Sequence, residues 1–299
     1  MKEAKTFDIL LLVILGIIWG SSFFNIKIAS YSYEPFTLVL LRVFFAAIPL
    51  LCLCYYKDVK ILAFSKQWKD YALIGACNIV VPFVLIAIGT SKVDSFLAAM
   101  LMSTTPISGS ILAHLFTKNE KITFFKSVGI LIGFSGVLFL FLDKLIVNDS
   151  NLFYALIILA GSTFYSIGGL LTLKIKNKGN ENVTTSTIIW SFIFLIPITF
   201  FVENPLETSP SLQSTISLIY LGIIATGAAW LLRFRILTVN GIVFQTQVAY
   251  IIPLVGVFFG YFIMNEEITW RVIVSLILII GGIYIVKRNN KGYIKKHAK

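Results

Sequence analysis

The sequence predicts an all-α membrane protein in which ten transmembrane helices form two inverted five-helix repeats. The first observation is composition: apolar residues fill 58% of the 299 positions, charged residues fill 13%, and the mean hydropathy is +0.89. A soluble domain is about 45–50% apolar and about 25% charged. The second observation is a series of long apolar stretches, and the third is one internal repeat. Most of this chain is therefore expected to lie in lipid.

The apolar residues are grouped in stretches long enough to span a membrane, which requires roughly 20 residues in a helix. They do not alternate with polar residues, so a transmembrane β-barrel is rejected. The first stretch is interpreted as a retained helix rather than a signal peptide, because it lacks a clear cleavage site and further spans follow it. The ten stretches are 8–29, 35–56, 70–90, 95–117, 122–142, 152–173, 183–202, 214–236, 241–264 and 268–286.

Polar and turn-forming residues separate these stretches, which justifies each boundary in turn. Pro35 opens the second stretch after a polar joint, and Glu203-Asn204-Pro205 closes the seventh. Proline and asparagine interrupt helices because proline lacks a backbone donor and asparagine favours turns. In chain order the joints are 30–34, 57–69, 91–94, 118–121, 143–151, 174–182, 203–213, 237–240 and 265–267.

Lysine and arginine predict the orientation, because these residues remain on the cytoplasmic side of a membrane. With the N-terminus inside, all but five of the 25 basic residues fall on the cytoplasmic side, so both termini are expected there. The net charge of +11 and the basic tail 287–299 then require no nucleic-acid partner, since such a tail meets anionic lipid. The five exceptions are Lys27, Arg42, Lys92, Lys144 and Arg271.

One internal repeat divides the chain into two halves. Asn119–Thr123 reappears as Asn265–Thr269, and in each half this segment follows a helix that contains a proline, Pro106 or Pro253. Five helices are an odd number, so the second half must enter the membrane from the opposite side, as in the inverted repeats of secondary transporters. The predicted units are 8–142 and 152–286, followed by the tail 287–299.

These features resemble EamA-type proteins of the drug/metabolite transporter superfamily. The resemblance rests on the two five-helix halves, on Trp19–Phe23 in the first helix, on Arg42 after Pro35, and on the Asn-Glu joint that follows each proline helix. It implies export or exchange of small metabolites, amino acids among them, through a central cavity lined by the first, third and fourth helices of each half. It also implies a multi-pass protein of the cell (inner) membrane.

Polar residues inside the spans are the candidates for such a cavity, because they are costly in lipid. The alternative for each Ser, Thr, Asn or Gln is a hydrogen bond between packed helices. The prolines could act as hinges by freeing backbone carbonyls. The predicted substrate-binding residues are Trp19, Ser22, Asn25, Arg42, Asn78, Thr104, Ser162, Tyr165, Ser166, Trp230, Arg233, Gln245, Gln247 and Tyr250, and the predicted hinges are Pro82, Pro106 and Pro253.

Charge in the spans is positive. Arg42 lies roughly 10 Å into its helix at 1.5 Å per residue, and it either binds an anion in the cavity or reaches the outer headgroups or Glu34. Lys27 is expected to extend to the outer headgroups. None of the 14 acidic residues lies well inside a span. The sequence therefore favours a facilitator or exchanger for carboxylate-bearing compounds such as amino acids, with a proton-coupled efflux carrier as the alternative.

Other classes of protein are disfavoured. Three cysteines and two histidines form no metal pattern, and no phosphate-binding loop or other cofactor motif occurs. An intramembrane enzyme would need catalytic groups and a channel would need a filter, and neither is found. The expected partners are a small-molecule substrate and the lipid bilayer, with no metal and no cofactor. The oligomeric state is left open, and a monomer is compatible with the sequence.

Overall fold

The computed structural model describes residues 6–116, 123–140, 150–172, 175, 179–240 and 248–297. Helices and short joints make up this described part, and it contains no strand. The helices are α1 (Thr6–Ala29), α2 (Pro35–Tyr56), α3 (Trp68–Gly75), α4 (Val81–Lys92), α5 (Ser95–Met102), α6 (Thr105–Phe116), α7 (Phe124–Leu140), α8 (Ser150–Thr172), α9 (Asn180–Val202), α10 (Leu212–Tyr220), α11 (Ala229–Asn240), α12 (Val248–Phe262) and α13 (Trp270–His297), with π-helical turns π1 (Ala76–Val80) and π2 (Leu221–Ala228) and a 3₁₀ turn (Pro205–Glu207).

Seven helical segments of the described chain are long and apolar enough to cross a membrane: Thr6–Ala29, Pro35–Tyr56, Trp68–Lys92, Ser95–Phe116, Leu152–Thr172, Asn180–Val202 and Leu212–Arg233. They make this a multi-pass membrane protein. Three further apolar helices are shorter, Phe124–Leu140, Val248–Phe262 and Trp270–Ile285. These three lie within or overlap the fifth, ninth and tenth predicted stretches, and residues 117–122 and 241–247 before two of them lie outside the described residues.

Carboxylates from the second half of the chain cap helices of the first half. Pro35 occupies the first turn of α2, where its missing N–H costs nothing. The next two backbone N–H groups, of Phe36 and Thr37, donate to Glu203 at 2.9 and 2.7 Å. In the same way, Ser95 and Phe96 at the start of α5 donate to Glu266. The free donors of two helix ends are therefore satisfied by residues distant in sequence.

The third and eighth segments each contain a π-helical turn at an equivalent place in their half. Pro82 follows π1 and cannot donate to the carbonyl of Asn78, which interrupts the normal ladder. In π2 the Thr226 hydroxyl donates to the carbonyl of Leu221 at 2.9 Å, five residues earlier. Such turns occur often at functional sites.

The packing of the helices is the same when the two halves are exchanged. Helix α1 packs against α12, and correspondingly α8 packs against α5 and α6. Helix α2 lies between α9 and π2, while α9 also contacts α3 and π1. Helix α7 packs along α13. This is the contact pattern that two equivalent five-segment halves would give.

Candidate functional site

A cavity of about 360 Å³ lies between the two halves. This volume is in the range of small-molecule sites, which are mostly apolar with a few placed polar groups. The cavity runs from the middle of α1 and α4 to the end at which α8 finishes and α9 begins. Its lining is Trp19, Ser22, Phe23, Ile26, Arg42, Ile74, Asn78, Phe83, Ile86, Met102, Thr105, Pro106, Gly109, Tyr165, Ser166, Gly169, Leu170, Thr172, Val183, Thr184, Thr187, Ala225, Trp230, Arg233, Val248, Ala249 and Ile252.

Arg42 is the central charged group of this cavity. Its side chain is 7% exposed, its Nε donates to the Thr226 hydroxyl at 2.9 Å, and its guanidinium lies 4.1 Å from the centre of the Phe83 ring. It forms no ion pair with Glu34 or with any other carboxylate of the described residues. The pairing with Glu34 is therefore not formed, and the guanidinium lies at the cavity. Its buried positive charge is therefore not balanced by a carboxylate of the described residues, which is a costly arrangement.

Asn78 brings an unused acceptor to the same cavity. The residue is 2% exposed, and its Oδ1 has no hydrogen-bond partner. A buried polar atom without a partner is costly, and this cost is carried at the wall of the cavity. On the facing helix α8, Tyr165 and Ser166 also line the cavity, and the Ser166 hydroxyl lies 2.9 Å from that of Ser108.

A second arginine lines the opposite part of the cavity. The guanidinium of Arg233 lies 5.1 Å from the centre of the Trp230 ring, and its buried Nε has no hydrogen-bond partner. Trp19 and Ser22 of α1 also face the cavity, and the Ser22 hydroxyl donates to the carbonyl of Ile18. No acidic residue lines the described cavity, so its fixed charge is positive.

Three predicted residues, Asn25, Thr104 and Ser162, are not part of the cavity lining, and their polar atoms bond within or between helices. Asn25 donates to the carbonyl of Ser21, Thr104 donates to that of Leu101, and the Ser162 hydroxyl lies 3.0 Å from that of Thr105. These are the helix–helix and local hydrogen bonds of the alternative interpretation.

Tyr250 lies outside the cavity, in a groove beside Tyr284 and Leu254. Its neighbours Val248 and Ala249 line the cavity. Tyr250 is one position further along the helix, so its side chain lies on another face.

Gln245 and Gln247 lie outside the described residues. Of the three prolines, Pro106 lines the cavity, whereas Pro82 and Pro253 are buried in helix contacts.

The residues that position Arg42 and most of the apolar lining are not among those predicted from the sequence. Thr226 and Phe83 hold the guanidinium, and Thr184 and Thr187 line the cavity from α9. The two threonines, at spacing i, i+3, form a polar face of α9 that the sequence pattern could have indicated. Phe83 could not have been indicated in this way, because apolar residues fill every face of a membrane helix.

At the opposite end of the helices from the cavity, the helices pack tightly against one another. We call this the Glu266 end, and Ala29, Ser95 and Phe262 lie there. Here α12 contacts both α1 and α5. The rings of Phe24 and Phe259 are 4.8 Å apart, and Gly256 lies so close to Ala99 that a methyl group on it would overlap. The cavity therefore does not extend to this end.

This architecture, with a cavity of small-molecule size between two equivalent membrane-embedded halves, defines the class of membrane transporters. The EamA-like transporter family model matches residues 6–142 and 152–288. The chain belongs to the EamA-like transporter family.

Relatives along the whole chain carry transporter names. The "Uncharacterized transporter YoaV" of Bacillus subtilis (strain 168) is 25% identical over 280 residues, which cover 91% of this chain and 96% of that protein. The "Uncharacterized inner membrane transporter YedA" of Escherichia coli (strain K12) is 25% identical, covering 91% and 90%. One solved crystal structure has a TM-score of 0.68 at 14% identity and covers 95% of this chain, which shows the fold.

Proposed function

We propose that this protein is a secondary transporter that moves small carboxylate-bearing metabolites, such as amino acids, by alternating access. The family and the names of its relatives point to a transporter rather than an enzyme. The substrate would bind in the cavity between the two halves. Movement of the halves would open this cavity to one side of the membrane and then to the other.

The proposed topology has ten membrane helices in two inverted repeats, with both termini in the cytoplasm. The protein would lie in the cell (inner) membrane. The distribution of lysine and arginine supports this orientation. The Glu266 end then faces the outside, and the cavity is accessible from the cytoplasm. The similar packing of the two halves supports the exchange between two related conformations.

The observation that carries the proposal is the uncompensated charge of Arg42. A guanidinium binds a carboxylate through two parallel hydrogen bonds, and Arg42 has only the neutral Thr226 as a hydrogen-bond partner among the described residues. A cationic substrate would add a further positive charge to a cavity that already contains Arg42 and Arg233.

Counterflow in proteoliposomes tests the proposal. Vesicles loaded with unlabelled amino acids, organic anions or nucleotides would be diluted into the labelled compound, with and without a pH gradient. Accumulation of a carboxylate-bearing compound is expected. Movement of cations alone, by protein that remains folded, would overturn the substrate class.

A proton-coupled efflux carrier is the second candidate. Uptake that occurs only with the pH gradient would favour it over a facilitator or exchanger.

A further inference from the structure

Arg233 is a charged side chain of the cavity that the proposed carboxylate site at Arg42 does not use. Its guanidinium lies 5.1 Å from the centre of the Trp230 ring, and Trp230 is 4% exposed. The Nε of Arg233 is buried and has no hydrogen-bond partner among the described residues. A guanidinium beside an aromatic face keeps its in-plane N–H donors for an acceptor. Arg233 therefore brings a positive charge and an unused donor to the wall of the cavity.

The position of Arg233 in its helix distinguishes it from a headgroup anchor. Helix α11 continues past Arg233 to Asn240, roughly 10 Å further at 1.5 Å per residue. Side chains in a helix lean toward its N-terminal end, and Trp230, which the guanidinium contacts, lies on that side of Arg233. Arg235, by contrast, is exposed and lies outside the cavity lining. Of these two arginines, Arg233 is thus the one that faces the cavity.

The guanidinium groups of Arg233 and Arg42 lie beside neighbouring turns of one membrane segment, Leu212–Arg233. The Nε of Arg42 donates to the Thr226 hydroxyl at 2.9 Å, and the guanidinium of Arg233 lies against Trp230. Thr226 and Trp230 are about one helical turn apart, roughly 6 Å along the axis. With the lengths of the side chains included, the two guanidinium groups are separated by a distance on the order of 10 Å.

The two positive charges are not balanced within the described cavity. Its lining contains no Asp or Glu, and neither Arg42 nor Arg233 forms an ion pair with a carboxylate of the described chain. Two like charges in a cavity of about 360 Å³ repel each other, and removing them from water is costly. A ligand with one carboxylate would compensate one of these charges, whereas a ligand with two carboxylates would compensate both.

We propose that Arg42 and Arg233 form a two-point site for small dicarboxylates, acidic amino acids included. One carboxylate binds Arg42 beside Thr226, and the other binds Arg233 beside Trp230. Apolar side chains of the lining, such as Ile252, are available to the carbon chain of the ligand. The proposal rests on the proposed function, because it extends the carboxylate site at Arg42 and narrows the class of substrate.

The separation of the two arginines sets the length of the ligand. In a chain of four or five carbons, the carboxyl carbons are roughly 4–5 Å apart, since each bond is about 1.5 Å long. A charge-assisted hydrogen bond of about 2.7–2.9 Å at each end extends the span to the order of 10 Å. Succinate and glutarate therefore match the pair of arginines and are suitable probes.

Thermal stabilisation of the purified full chain in detergent tests this without any transport step, because a ligand that binds only the folded protein raises the midpoint of unfolding. Each dicarboxylate would be compared with the monocarboxylate of the same carbon number, succinate with butyrate and glutarate with pentanoate. The ionic strength would be held constant, since salt screens the charges. The measured quantity is the concentration of each acid that gives a fixed rise of the midpoint.

The expected result is that each dicarboxylate gives this rise at a concentration roughly tenfold below that of its monocarboxylate, because the second charged pair strengthens binding. Arg233→Gln should abolish the difference and leave the monocarboxylates unchanged, whereas Arg42→Gln should weaken both kinds of acid. Arg233→Lys keeps the charge and should keep part of the difference. The matched control Arg235→Gln, at the exposed neighbour, should keep all of it.

A folded Arg233→Gln variant that still prefers dicarboxylates, or an unmodified chain that binds both kinds of acid equally well, would overturn the two-point site. In either case the binding of carboxylates would leave the proposed function in place. Absence of stabilisation by all four acids, in a chain that unfolds cooperatively, would overturn the two-point site and the proposed substrate class together.

Discussion

At the scale of single residues, the account depends on how Arg42 is held. The Thr226 hydroxyl donates to the carbonyl of Leu221 and accepts from Arg42 Nε, and Phe83 lies under the guanidinium. The π-helical turn that contains Thr226 thus fixes the direction of the side chain. The remaining guanidinium donors are available for a ligand, and this arrangement suits a carboxylate better than a neutral group.

Replacing Arg42 should therefore weaken substrate binding. Hydrogen bonds to charged groups contribute roughly 1.5–3 kcal/mol, so Arg42→Gln is expected to raise the concentration for half-maximal counterflow by roughly 10- to 100-fold. Arg42→Lys should lie between this variant and the unmodified chain, because an ammonium keeps the charge but loses the planar pair of donors.

Arg235→Gln is the matched control for this measurement, because Arg235 is exposed and lies outside the cavity lining. Equal effects of the Arg42 and Arg235 substitutions would mean that Arg42 acts through the general charge of the protein and not through contact with the substrate.

Residue-level placement was also where the sequence was least informative. It singled out Arg42, Asn78 and Trp230, which line the cavity, but it also chose Thr104 where Thr105 lines it. The fourth segment breaks between α5 and α6, and this break shifts the helix phase by an amount that no periodicity reveals. Substrate contact by these residues stays a prediction.

At the scale of elements, two features hold the helices: close backbone approach and capping across the chain. Helices α7 and α13 meet at Gly133 and Gly282, where a Cβ on Gly282 would lie 2.5 Å from the backbone nitrogen of Gly133. Small residues at such crossings allow the van der Waals packing that drives helix association in membranes.

Gly282→Ala should destabilise the protein, since the backbone of α7 must move to accommodate the methyl group. Overpacking of this kind costs about 1–3 kcal/mol, which would appear as a lower midpoint of thermal unfolding in detergent. Gly281→Ala is the control in the same helix, because nothing lies within 4 Å of a Cβ there. Similar midpoints for the two variants would contradict the described contact of α7 and α13.

The cap of α2 gives a second prediction at this scale. Glu203 satisfies the backbone N–H groups of Phe36 and Thr37, and loss of a helix cap costs about 0.5–2 kcal/mol. Glu203→Ala should lower the thermal midpoint accordingly. Glu207→Ala, at an exposed residue of the following 3₁₀ turn, should leave it unchanged. An unchanged midpoint in Glu203→Ala would mean that water replaces the carboxylate without cost.

The helical elements themselves could be predicted, because apolar length and turn-forming joints are local properties. The capping roles of Glu203 and Glu266 could not. In the sequence both appear only as polar residues of joints, and their partners at the starts of α2 and α5 lie in the other half of the chain. Such contacts depend on the packing of the halves, which the repeat indicates only in outline.

At the scale of the whole molecule, the two halves that the family model matches, 6–142 and 152–288, pack around the cavity described above. The cavity is closed at the Glu266 end and reaches the other end, where Arg233 and Trp230 lie. Its volume of about 360 Å³ is in the range of small-molecule sites, and its positive charge is the basis of the proposed preference for an anionic group. The sequence predicted this family and a central cavity, and the family match confirms the family.

The proposed function depends most on recognition of a substrate carboxylate by Arg42. The most direct test compares each free acid with its own methyl ester as inhibitors of labelled amino-acid counterflow in proteoliposomes, because the two differ mainly in the anionic group. We expect that the acids inhibit, that the esters do not, and that the difference disappears in Arg42→Gln. Esters that inhibit as well as the acids, in a protein that performs counterflow, would contradict it.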